Sequence, residues 1–167
     1  GTETEHAASN LEGTDKPWQK DNDWHYSDAQ MNVTVEDGSV FELGSHARLT
    51  GDVTVNGGTY IMREGGQNRY EYIEGGYTLE DTYAISSFYG HKGNTVLNGG
   101  TLQVEFSEGT TSKLEYSGNI SGTGKMTVDT ADGTLILTGE NTFTGSKQLL
   151  NGHVIADDVS ALGTGAG

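Results

Sequence analysis

The chain has no cysteine, a single proline (Pro17) and no apolar run approaching the length of a membrane-spanning helix. The first absence removes disulfides, thiolate zinc sites and dithiol redox motifs together. The second removes any proline-rich linker. The third removes a transmembrane helix, and Gly1-Thr2-Glu3-Thr4-Glu5 does not read as a signal peptide. With no natural punctuation at either end, the sequence reads as a slice of a longer protein. Basic residues are scarce too: 9 Lys and Arg stand against 24 Asp and Glu, a net charge of −15. Such a surface repels phosphate backbones and anionic lipid heads, so no nucleic-acid partner is expected.

Glycine is what the chain has in plenty, 26 residues against a hydrophobic fraction of only 32%. Without a period that ratio would suggest disorder. Here the glycines recur at fixed places between short apolar runs. Met126–Val128, Leu135–Leu137 and Val154–Ile155 are separated by Gly122, Gly124, Gly133, Gly139, Gly145 and Gly152. The runs are too short for helices and predict strands of three to five residues. Tyr116-Ser117-Gly118-Asn119 returns as Leu137-Thr138-Gly139-Glu140, a step of 21 from 116 to 137. Leu49-Thr50-Gly51-Asp52-Val53 is a third version. Asn56-Gly57-Gly58-Thr59 returns as Asn98-Gly99-Gly100-Thr101, a step of 42 that reads as twice 21. A period near 20 with short strands and tight turns predicts an all-β solenoid, a right-handed single-stranded parallel β-helix.

The C-terminal third also resembles a known family, the passenger-associated repeat of Gram-negative autotransporters (type V secretion). The matching residues are Gly122-Thr123-Gly124, Gly133-Thr134-Leu135-Ile136-Leu137-Thr138-Gly139, Asn141-Thr142-Phe143-Thr144-Gly145 and Ala161-Leu162-Gly163-Thr164-Gly165. The resemblance implies a passenger segment displayed on, or released from, the bacterial surface. Its parent chain would include an outer-membrane β-barrel translocator. In that family the β-helix is a stalk bearing adhesive, self-associating or proteolytic units.

Three regions follow. Residues 1–30 are expected to be an irregular N-terminal segment or cap, with Trp18 and Trp24 covering the open end of the first coils. The β-helix is expected over 31–167, interrupted by an excursion at about 64–94. That excursion holds five of the eight tyrosines, and paired glycines at 65–66 and 75–76 suggest a hairpin of Arg69–Ile73 with Tyr77–Asp81. Tyrosine combines a large apolar area with a polar tip and few rotamers to freeze, which favours recognition. Tyr70, Tyr72, Tyr77, Tyr83, Phe88 and Tyr89 are therefore the candidate binding residues. The partner would be a host surface or extracellular-matrix component, or a neighbouring cell bearing the same protein.

No catalytic constellation is found. There is no G-x-S-x-G or G-D-S-G nucleophile segment, and His25 among Asp21, Asp23 and Asp28 fixes no geometry. The five histidines lack metal-ligand spacing and read as surface residues. Asp129, Asp132, Asp157 and Asp158 lack the nonapeptide of calcium-binding β-rolls, so neither a metal site nor a cofactor is expected. Basic residues are too few for the acidic-sugar chemistry of β-helix lyases. The expected function is a stalk or adhesive passenger segment rather than an enzyme. A purely structural stalk of a protease passenger and a polysaccharide-acting β-helix enzyme are the alternatives.

Overall fold

Alternating residues in runs of four, cut by glycine, can close a core only if each run stacks on the next. In the computed structural model, which describes residues 2–5, 25–45, 47–64, 69–73, 76–81, 90–157 and 159–163, they do so as a parallel β-solenoid of about five coils. The expected fold class is the observed one.

The coil has three faces. The first stacks β3 (Val33–Glu36), β6 (Val53–Asn56), β11 (Thr95–Asn98) and β14 (Ile120–Gly122) in that order, all parallel. The second stacks β4 (Val40–Leu43), β7 (Thr59–Met62), β12 (Thr101–Glu105) and the first legs of β15 (Lys125–Leu137) and β16 (Lys147–Ala156). The third stacks β2 (His25–Gln30), β5 (Ala47–Thr50) and β10 (Gly90–His91). Above them come β13 (Lys113–Tyr116) and the second legs of β15 and β16. Outside the stack, β8 (Arg69–Ile73) and β9 (Gly76–Asp81) form a two-stranded antiparallel hairpin.

Register aligns the inward side chains in columns. Leu43, Met62, Val104 and Val128 form one, and Leu114, Leu135 and Val154 another. Most of these residues are buried, which is how a chain this poor in hydrophobics still closes a core. At each end of the first face lies a column of glycines. Gly51, Gly93, Gly118 and Gly139 form one column, and a Cβ on any of them would press into a backbone carbonyl of the coil below. Gly58, Gly100, Gly124 and Gly145 form the other under similar crowding.

Beside the first column runs a ladder of side-chain acceptors. Asn32 Oδ1 accepts from Asp52 N, Asp52 Oδ1 from Asn94 N, Asn94 Oδ1 from Asn119 N and Asn119 Oδ1 from Glu140 N, each at 2.9 Å. The corner needs a short polar side chain there, because the turning backbone leaves one N–H per coil without a strand partner. Asn141 continues the pattern inside the core. Its Oδ1 accepts from Ile120 N at 2.8 Å, and its Nδ2 donates to Ala161 O at 2.6 Å, in the 3₁₀ turn Val159–Leu162 that covers this end of the first face.

Four expectations change. Residues 1–30 are not irregular throughout: His25–Gln30 is already a solenoid strand, and β1 (Thr2–Glu5) pairs antiparallel with it. The added strand takes up the free hydrogen-bonding edge that the first strand of a stack would otherwise present. Trp18 and Trp24 lie outside the described residues. Strands are not all three to five residues, since β15 has 13 and β16 has 10. These two run around the corner between the second and third faces, with Ala131 at φ 50° and Gly152 at φ 96° making the bends. Gly133 and Gly152 therefore sit inside strands, where turns were expected. Finally, the 42-residue step is one coil and not two, because Asn56 pairs directly with Asn98 and Tyr60 with Leu102. Its extra length is the excursion, inserted between Met62 and Gly90 at the corner between the second and third faces.

Candidate functional site: the excursion and its anchors

Of the candidate binding residues, Tyr70 and Tyr72 belong to β8 and Tyr77 to β9. The hairpin register sets Tyr72 opposite Tyr77 and Tyr70 opposite Leu79, with a shift between Arg69 and Tyr70. Tyr83, Phe88 and Tyr89 lie outside the described residues.

Both ends of the excursion are tied to the coil by groups that sequence reasoning did not single out. At the departure, Arg63 Nε lies 2.8 Å from Glu42 Oε1 and Nη1 lies 3.6 Å from Glu105 Oε1, bridging three coils on the outer wall. The Glu42 hydrogen bond raises the guanidinium pKa further above its already high value. Next to it, Glu64 is buried. Its Oε2 accepts from Ser107 N at 3.0 Å and its Oε1 from Ser107 Oγ at 2.8 Å. One carboxylate thus holds the turn after β12 against the base of the excursion.

At the return, Gly90 turns with φ 92° and β10 joins β5, with Gly90 opposite Arg48 and His91 opposite Leu49. The coil resumes here, before the expected boundary at 94. The expectation that every histidine lies on the surface is corrected: His91 is only 3% exposed. Its ring sits 5.3 Å from that of Tyr116 in a stacked pair and 5.7 Å from that of Tyr60 edge-on. Nε2 lies 2.8 Å from Gly51 O, which requires the proton on that nitrogen. Tyr116 Oη donates to Gly93 O at 2.8 Å and is left to accept from Thr95 Oγ1 at 2.8 Å. Burial raises the pKa of both Tyr116 and Tyr60, so neither ring charges near neutrality.

The signal for His91 was present. Leu49-Thr50-Gly51-Asp52, Tyr116-Ser117-Gly118-Asn119 and Leu137-Thr138-Gly139-Glu140 have a fourth relative in His91-Lys92-Gly93-Asn94. The first residue of each tetrad points inward, two places before a glycine of the crowded column. Tyr116→Phe deletes the hydroxyl that ties this column to the first face. Thermal or urea unfolding should show a loss of about 1–2 kcal/mol.

Of the acidic residues weighed as cation ligands, Asp158 lies outside the described residues, and Asp129, Asp132 and Asp157 form no group suited to a metal. Asp129 Oδ1 accepts from Ala131 N at 3.1 Å, supporting the strand bend. No group of three or more His, Cys, Asp or Glu side chains suited to a metal occurs among the described residues.

Comparison with known families gives a match to the passenger-associated-transport-repeat over residues 85–104 and 132–153. The second match overlaps the residues on which the resemblance was read, and the first is additional. Each matched segment contains one glycine of both crowded columns, Gly93 with Gly100 and Gly139 with Gly145. No curated protein and no solved structure matches the chain.

Proposed function

We propose that this autotransporter passenger segment, which matches the passenger-associated-transport-repeat twice on a parallel β-solenoid, is an adhesive stalk whose excursion contacts a host surface or a neighbouring cell. The solenoid supplies the stalk: every coil is tied to the next by strand pairing and by the corner ladder, so the excursion is carried on a rigid wall. The observation that supports contact is the concentration of tyrosine in the hairpin, with Tyr70 and Tyr72 on β8 and Tyr77 paired opposite Tyr72 on β9. Such a cluster offers broad, low-entropy contact area. The repeat match supports a location outside a Gram-negative cell, on its surface or released from it. No catalytic step is assigned to it.

The test is a deletion of residues 65–89 closed by a short glycine linker, which spares both Glu64 and His91. Circular dichroism and melting temperature should stay nearly unchanged, because the described strands of the excursion, β8 and β9, pair with each other and with no solenoid strand. Binding of the purified chain to intact host cells, or to bacteria displaying it, should be lost. Undiminished binding by the deleted form would refute the adhesive role of the excursion. Absence of binding by both forms would leave a supporting stalk.

A further inference from the structure

His91 is a buried ionisable group whose geometry accommodates only its neutral form. Its Nε2–H is used on Gly51 O, while Nδ1 is buried with no hydrogen-bond partner. A second proton could go only to Nδ1, creating a charged donor in the core with no acceptor. That arrangement is costly in a low-dielectric interior.

The surrounding groups do not relieve it. From the third face, Leu49 below and Tyr116 above pack against the ring, and Tyr60 approaches from the second face. Asp52, beyond Gly51 in the neighbouring corner, favours protonation, and Lys92 on the same segment opposes it. Arg48 and Glu115, on the strands below and above, act on Lys92 in opposite directions. None of these groups hydrogen-bonds Nδ1. Desolvation outweighs the rest and lowers the pKa of His91 below its ordinary value of 6.5.

The position of this residue matters because β10 is only two residues long. The return leg depends on pairing with β5, on Lys92 N donating to Leu49 O at 2.8 Å and on the seating of the His91 ring. In a stack of coils, a segment can open without unfolding its neighbours.

We propose that His91 makes the return anchor of the excursion acid-labile, so that mild acid unseats Gly90–Gly93 from β5 while the later coils remain folded. In the open state the histidine regains its ordinary affinity for a proton. The seating is therefore fully present above about pH 6.5 and declines as pH falls below it toward the lowered folded value. The device belongs to the anchor and holds whether or not the excursion binds a cell.

Hydrogen exchange on the full chain at pH 7.5 and 5.0, corrected for intrinsic rates, tests the proposal. Protection of a peptide spanning 90–94 should fall by up to about thirtyfold at the lower pH, the factor an open-state histidine gains from protonation there. A peptide spanning 125–137 should show no matching loss. His91→Phe, which keeps an aromatic ring but cannot titrate, should abolish the pH dependence. Equal protection of wild type at both pH values, or the same acid loss in His91→Phe, would overturn the proposal. Should that variant fail to fold, an NMR titration of the wild-type imidazole decides: His91 titrating below its ordinary value, as protection is lost, supports the device, and titration at 6.5 in a still-protected segment refutes it.

Discussion

Gly118→Ala should cost about 3 kcal/mol or more, or prevent folding outright, although it adds one methyl group. Gly118 stands in the middle of the column formed by Gly51, Gly93, Gly118 and Gly139. A Cβ there would lie within 3.0 Å of Gly93 O and of the Tyr116 ring. The carbonyl belongs to backbone that is itself held between coils, so it cannot retreat as a flexible side chain would. Tyr116 is fixed as well, by its hydrogen bonds to Gly93 O and Thr95. Because each coil is stabilised by its neighbours, damage at a central rung separates the stack into two short pieces. Gly99→Ala is the matched control. Gly99 has φ 71° but nothing within 4 Å of an added Cβ, so only backbone strain of about 1–2 kcal/mol is expected. Urea unfolding of both variants measures the difference. Similar losses would show that coil-to-coil crowding is not what makes Gly118 costly to replace.

Asn141→Ala is the second large effect, with an expected loss of about 3 kcal/mol. The side chain is 1% exposed and satisfies two backbone groups, Ile120 N and Ala161 O, that no strand partner serves. Its removal leaves a buried donor and a buried acceptor unpaired, at about 1–3 kcal/mol each, partly offset if water enters the space. Asn119→Ala breaks a rung of the same corner ladder, but Asn119 is exposed and water can replace it at Glu140 N. Its expected loss is about 1 kcal/mol or less. The ratio between the two variants, read from urea midpoints at constant slope, is the test. Equal losses would mean that burial does not decide the strength of the ladder.

The sequence by itself determined the class of fold, because its signals are local. Short alternating runs cannot bury a face alone, and glycine followed by Asp, Asn or Glu marks a corner wherever it occurs. The tetrads at Leu49, Tyr116 and Leu137 were legible for that reason, as was the hairpin, from its paired glycines and tyrosines. What the tertiary structure alone decided is which rungs touch. A step of 42 can be two plain coils or one coil with an insertion, and only the pairing of Asn56 with Asn98 distinguishes them. That pairing places the excursion inside a single coil, ends it at Gly90 and draws His91 into the core. Glu64 likewise looks like any acidic residue at a loop, until the stack brings Ser107, 43 residues later, against its carboxylate. Periodicity fixes which way a side chain faces, whereas contacts between coils depend on how much chain is spent at each corner, and corner length has no periodic signature.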